Sequence, residues 1–293
     1  MKQLTFIFFF SLLFQSVETF AQDKPAYVIY TATGKKTTFN KLVEATEAKD
    51  LVLFGEFHDN PISHWLQLEL SKEMHEELGP KLELGFEMFE QDQQELVSKY
   101  VRGELTEKQW KDSLRLWPNY ETDYAPLIEF AKKNQLYCIA SNVQRKYASL
   151  LFKKGRAALD TLSPTIKAQM APIQFIVDTT LSQYKEVFAM GGHMGANMGM
   201  NMVESQAFKD ATMAQFILAN PGRKEGTVVL HFNGAFHSDF HQGILWYVQQ
   251  KQPNIRVITI STVTQEDINK LDKEHYGRAD FIICVPESMT RTH

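Results

Sequence analysis

Six short runs of apolar, mostly β-branched or aromatic residues punctuate the chain, at 51–54, 82–86, 136–140, 228–232, 257–260 and 281–285. They are apolar at successive positions rather than alternating, and amphipathic stretches lie between them. That pattern predicts buried strands of a mostly parallel sheet covered by helices on both faces, an α/β fold. Upstream, "YVIYTATGKKTTF" reads as a hairpin turning at Thr33-Gly34. Asn60 before Pro61 marks a helix start, and Gly79-Pro80 marks its end. Asp123 is placed to cap a helix running to about residue 133. A small helical insertion is expected over 90–122. A larger one, serving as a lid, is expected over about 150–220, where no strand pattern occurs. The terminal "TRTH" is expected to fray.

The first residues follow a different logic. Lys2 precedes "LTFIFFFSLLF", and small residues at Thr19 and Ala21 mark a cleavage site, so 1–21 reads as a signal peptide. No cysteine lies near that site, so there is no lipobox. The expected mature chain, 22–293, is one exported domain, periplasmic or associated with the outer membrane, with no transmembrane helix of its own. Cys138 and Cys284 both sit in apolar runs and read as buried hydrophobes, with a disulfide between them left open, and two cysteines exclude a dense disulfide framework. A net charge of −4 gives no electrostatic reason to expect nucleic acid.

Ligands in open α/β sheets bind beyond the carboxyl ends of the strands. The first run ends in "GEFHDN" with Glu56 and His58, the second in "GFEMFE" with Glu87, and the fourth in "HFNGAFHSDFH" with His237. These four are expected to converge, with His64 nearby as a further ligand or donor. Imidazole and carboxylate together suit a divalent metal such as zinc, manganese, cobalt or iron, or a general acid and base without metal. Any of these residues alone is more often structural than functional; it is their convergence that points to a site. Gln206, Asp210 and Met213 are expected to face the same pocket from a helix beginning near Asn201.

The segment "AMGGHMGANMGMNMVES" carries methionines every four residues, and its glycines argue against a stable helix through the first part. It reads as a flexible apolar wall or a thioether site with His193, against the plainer alternative of adaptable packing. Arg145, just after the third run, could pair with a carboxylate or form an ordinary surface ion pair.

"GEFHDNPISH", "GFEMFEQDQQ", "NVQRKYA", "NMVESQAFKDATMAQFI" and "VVLHFNGAFHSDFHQGI" together resemble the ChaN-type haem-binding uptake family over about residues 40–260. The repeated G-x-x-H, at Gly55–His58 and Gly234–His237, also looks like the wider superfamily of Tiki, TraB and erythromycin-esterase-like proteins. The resemblance implies an α/β core with a helical subdomain and haem binding. In some members it implies a cofacial haem pair within a homodimer, with tyrosine and histidine on the iron, and it adds an outer-membrane haem receptor as a partner. Members are often lipoproteins, and this sequence departs from them there. Tyr120, Tyr124, Tyr147 and Tyr184 all remain open as the ligating tyrosine. The expected cofactor-binding set is His193, Met194, Met198, Arg145 and Tyr124. The first functional reading is therefore an exported haem-binding protein in iron acquisition or storage. The alternative is a metal-dependent hydrolase working through Glu56, His58, His64, Glu87 and His237. A periplasmic interaction module with a vestigial polar site is a third.

Overall fold

The computed structural model describes residues 24–193, 195–219 and 225–292, so the expected signal peptide and Met194 lie outside the described residues. Among the described residues, eight strands form one sheet: β1 Val28–Thr31, β2 Lys36–Thr37, β3 Leu51–Glu56, β4 Leu82–Glu90, β5 Tyr137–Asn142, β6 Val228–Gly234, β7 Val257–Gln265 and β8 Phe281–Pro286. Their order is β2-β1-β8-β7-β3-β6-β4-β5. The strands from β3 to β8 run parallel, while the β1–β2 hairpin is antiparallel at one edge. Gly34 closes its turn at φ +77°, a conformation that favours glycine.

Ten α-helices lie among the described residues: α1 Phe39–Thr46, α2 Pro61–Leu78, α3 Gln94–Val101, α4 Glu107–Ser113, α5 Ala125–Asn134, α6 Arg145–Lys154, α7 Pro164–Lys167, α8 Ser182–Gly192, α9 Ala196–Leu218 and α10 Ile244–Lys251. The period-2 alternation of the strands divides their side chains between two cores. Val52 and Phe54 pack with residues of α2, α3 and α5, whereas Leu51 and Leu53 pack with residues of α6, α8, α9 and α10. Each fully buried leucine or phenylalanine contributes about 1.5–3 kcal/mol to stability. The sheet is therefore covered on both faces, as its uniformly apolar strands require.

The local signals hold in part. Asn60 accepts a hydrogen bond from the Ser63 N–H at 3.0 Å, and α2 ends at Gly79. Asp123 does not cap α5. A π-helical turn, Tyr120–Tyr124, leads into that helix without a side-chain cap, and the buried Asp123 carboxylate accepts from Asn119 and Thr292. The region 150–220 is helical, but α9 packs on β5, α6 and α10 as part of the sheet's cover.

The glycines of the methionine-rich segment also act differently from expectation. Gly191 and Gly192 lie in α8, and Gly199 lies in α9. A Cβ on Gly191 would stand 2.9 Å from the Gly199 Cα, so here glycine permits two helices to cross closely. Gly195, immediately before α9, takes φ +105°.

Candidate functional site

β3 and β6 run in register to their carboxyl ends, where Glu56 stands opposite Gly234. β4 follows β6 only as far as Phe86, and its pairing with β5 shifts register between Phe86 and Glu90. This irregularity turns Glu87 toward β6, where its Oε2 accepts the Gly234 N–H at 2.7 Å. Glu56, His58, Glu87 and His237 thus gather around one glycine at the sheet's carboxyl edge.

They gather as two separate assemblies. In the first, Glu56 shares the face of Val52 and Phe54 and is buried. Its Oε1 accepts from the Tyr124 hydroxyl at 2.7 Å and from His58 Nδ1 at 2.8 Å, and its Oε2 accepts from Gln67 Nε2 at 2.5 Å. Burial pushes the Glu56 carboxyl up, but His64, His58 and Gln67 outweigh it and hold the group below its ordinary range. Burial pulls His58 down, while its bond to Glu56 and the charges of Glu87 and Glu56 raise it overall. The His58 side chain is 37% exposed, its ring meets Trp117 edge-on at 4.8 Å, and its Nε2 has no hydrogen-bond partner among the described residues.

In the second assembly both imidazole nitrogens are taken. His237 Nε2 lies 3.1 Å from Glu87, and Nδ1 donates to Asp210 of α9, which also accepts from the Tyr184 hydroxyl at 2.8 Å. Burial opposes protonation of His237, yet Glu87 and Asp210 raise it to about 10, so at neutral pH it is an imidazolium between two carboxylates. Burial likewise pushes Glu87 up, and His237 with His58 and the Gly234 N–H drives it well below the carboxylate range. The Gln206 amide is 3.1 Å from His237 Nδ1. Gln206 and Asp210 therefore face the site as expected, whereas Met213 is buried in the core.

The expected metal cradle does not form. Carboxylates occupy both His237 nitrogens, and among the described residues no group of three or more His, Cys, Asp or Glu side chains is disposed to hold a metal ion. His64 is buried, with its nitrogens 3.2 Å from Gln67 Oε1 and 3.1 Å from the His58 carbonyl, so it braces the His58 loop. Tyr124 is fully buried on Glu56. Burial and the Glu56 charge push its hydroxyl far up. Tyr120, Tyr147 and Tyr184 are buried too. His193 is exposed at the end of α8 and Met198 is half-buried near the start of α9.

Trp117, whose ring meets His58, also lines a cavity of about 460 Å³ together with Leu116, Pro118, Glu90, Arg115, Gln144, Arg145 and Lys146. Arg115 is paired with Glu90 and Asp92. Sequence reading placed Arg145 here but missed Trp117, whose only signal was the tripeptide Trp117-Pro118-Asn119 between two helical patterns. It also missed Gln67 and Asn119, whose roles come from tertiary contacts. Of the tail expected to fray, Arg291 and Thr292 are held in place, and residue 293 lies outside the described residues. Thr292 donates from its backbone to the Asp59 carbonyl at 3.0 Å and from Oγ1 to Asp123 at 2.7 Å, and Arg291 pairs with Asp59 at 2.9 Å.

The profile described as haem-binding uptake, Tiki superfamily, ChaN matches residues 42–248. The chain belongs to this family. It is similar in structure to ChaN of Campylobacter jejuni, solved with cofacial haem bound, at 17% identity and TM-score 0.66, over 88% of this chain and 96% of that one. It is also similar to an erythromycin esterase, EreC, in its open conformation, at 10% identity and TM-score 0.51, over 90% of this chain and 98% of the other. At these identities the likeness concerns the fold. None of the curated protein sequences matches this family member. Among its described residues, no helix is long and apolar enough to cross a membrane.

Proposed function

We propose that this ChaN-family chain is an exported haem-binding protein that receives or stores haem for iron acquisition. The observation that carries the reading is the double role of Trp117, which lines the 460 Å³ cavity and meets the His58 ring edge-on. Trp117, Leu116 and Pro118 offer an apolar wall for a flat ring system. Arg145 and Lys146 offer charge to acidic substituents, and the free His58 Nε2 offers a donor to iron. Haem, when bound, supplies an iron that takes such a donor. Glu56 orients the imidazole by holding Nδ1–H, which leaves Nε2 facing the space above Gly234. Family membership supports the same ligand. The apolar start of the sequence supports export, and exposed Phe57 and Trp65 near the His58 loop support a homodimer formed on haem binding. Titration of the purified chain with haem, with solution mass recorded alongside, should give a saturable Soret shift and a doubling of mass. A spectrum equal to that of free haem would remove the reading.

One observation favours a second reading, hydrolysis. A carboxylate-held imidazole with a free nitrogen is equipped to take a proton from water. Turnover of activated esters that disappears in His58→Ala would support it.

A further inference from the structure

The first turn of α6 separates the 460 Å³ cavity from a second one of about 280 Å³, and Arg145 lines both. The second cavity has apolar walls from Phe152, Val187 and Met202, and its polar rim holds Gln206 and Lys209. The cations of the two cavities differ in their engagement. Arg115 is neutralised by Glu90 and Asp92, and Lys146 lies over the Tyr147 ring at 4.9 Å. Arg145 uses only its backbone N–H, donated to Glu90 at 2.8 Å. The Arg145 guanidinium and the Lys209 ammonium have no anionic partner among the described residues, although both line the same small cavity. Two like charges beside one apolar recess repel each other and create a positive potential there, which an incoming anion relieves.

We propose that this second cavity is a subsite for the acidic arm of the ligand, with Arg145 and Lys209 closing on a carboxylate while the apolar body of the same molecule lies against Trp117. The ligand class is an amphiphilic carboxylate; its identity as haem, with a propionate as the arm, rests on the function proposed above. Arg145 is the hinge of the arrangement because, among the described residues, it alone lines both cavities.

The test compares haem with haem dimethyl ester on the wild-type chain and on Arg145→Ala, Lys209→Ala and, as a charge control on the same helix, Lys154→Ala. Circular dichroism verifies folding. Each of the first two variants should lose about tenfold in haem affinity, the worth of one charge-assisted hydrogen bond, and Lys154→Ala should lose none. The ester should bind all four chains equally weakly. Equal affinity for haem and ester, or unchanged haem affinity in both variants, overturns the subsite. A dansyl-labelled fatty acid set against its methyl ester repeats the comparison without iron or porphyrin. If haem gives no Soret shift while the fatty acid binds through Arg145 and Lys209, the subsite stands and the haem reading falls. If neither probe depends on the two cations, the subsite falls.

Discussion

His58 donates its Nδ1–H to Glu56 at 2.8 Å and thereby turns Nε2 toward the space above Gly234. A Cβ on Gly234 would lie 2.8 Å from that nitrogen and 3.6 Å from Glu87 Oε2, so the missing side chain is what keeps the space open. Gly234 has φ −55°, which alanine tolerates. Gly234→Ala should therefore fold normally and displace the imidazole. Haem affinity, read from the Soret band, should fall by at least about tenfold, and an unchanged titration curve would show that His58 Nε2 is not used.

Glu56 accepts from three side chains in a buried setting. Glu56→Gln would present an amide N–H₂ where acceptors are needed and leave at least one donor unmatched. The expected cost is about 2–4 kcal/mol in urea unfolding, in the range for breaking a buried hydrogen-bonded charge. A loss under about 0.5 kcal/mol would mean that the network reorganises freely.

His237 makes stability depend on alkaline pH. Its folded-state value is raised from 6.5 to about 10, so the folded chain holds this proton more tightly than the unfolded one. The contribution is complete below about pH 6.5 and is lost as pH rises toward 10. Melting temperature should decline across this window, and His237→Asn should flatten the decline while lowering the plateau. Parallel curves for the two chains would contradict the imidazolium assignment.

The tail contacts make a further expectation. Thr292→Val removes the hydroxyl that donates to Asp123, and Arg291→Ala removes the pair with Asp59. Together they should cost about 1–2 kcal/mol and speed amide exchange at 57–60 and 119–124. Exchange confined to the last residues would show that the tail holds nothing in place.

The strand starts were legible because each opens on an apolar residue after a turn or helix end, as at Leu51, Val228 and Val257. The far end of β7 was not. It continues past Ile260 through Ser261 and Thr262, whose hydroxyls donate to Asp239 and to the Gly55 carbonyl, partners that only the folded chain supplies. The same holds for the site. Carboxyl-edge placement brought Glu56, His58, Glu87 and His237 together correctly. Asp210 was also expected to face the pocket; the split into one open and one closed imidazole was not legible, because it depends on Asp210 pairing with His237 Nδ1 rather than with His58. Glycine misled in the methionine-rich segment because its low helix propensity is outweighed there by close helix packing.

Cys138 and Cys284 are buried, unpaired thiols on β5 and β8, with β4, β6, β3 and β7 between them. At about 4.8 Å per strand they stand roughly 24 Å apart, far beyond the reach of a disulfide. Burial pushes the Cys284 thiol up to about 12 and that of Cys138 higher still, so neither offers a thiolate to an oxidant at neutral pH. Neither thiol has to be oxidised or protected for the sheet to form, so chain made in a reducing cytosol and chain made in an oxidising compartment should be interchangeable material for every measurement described above.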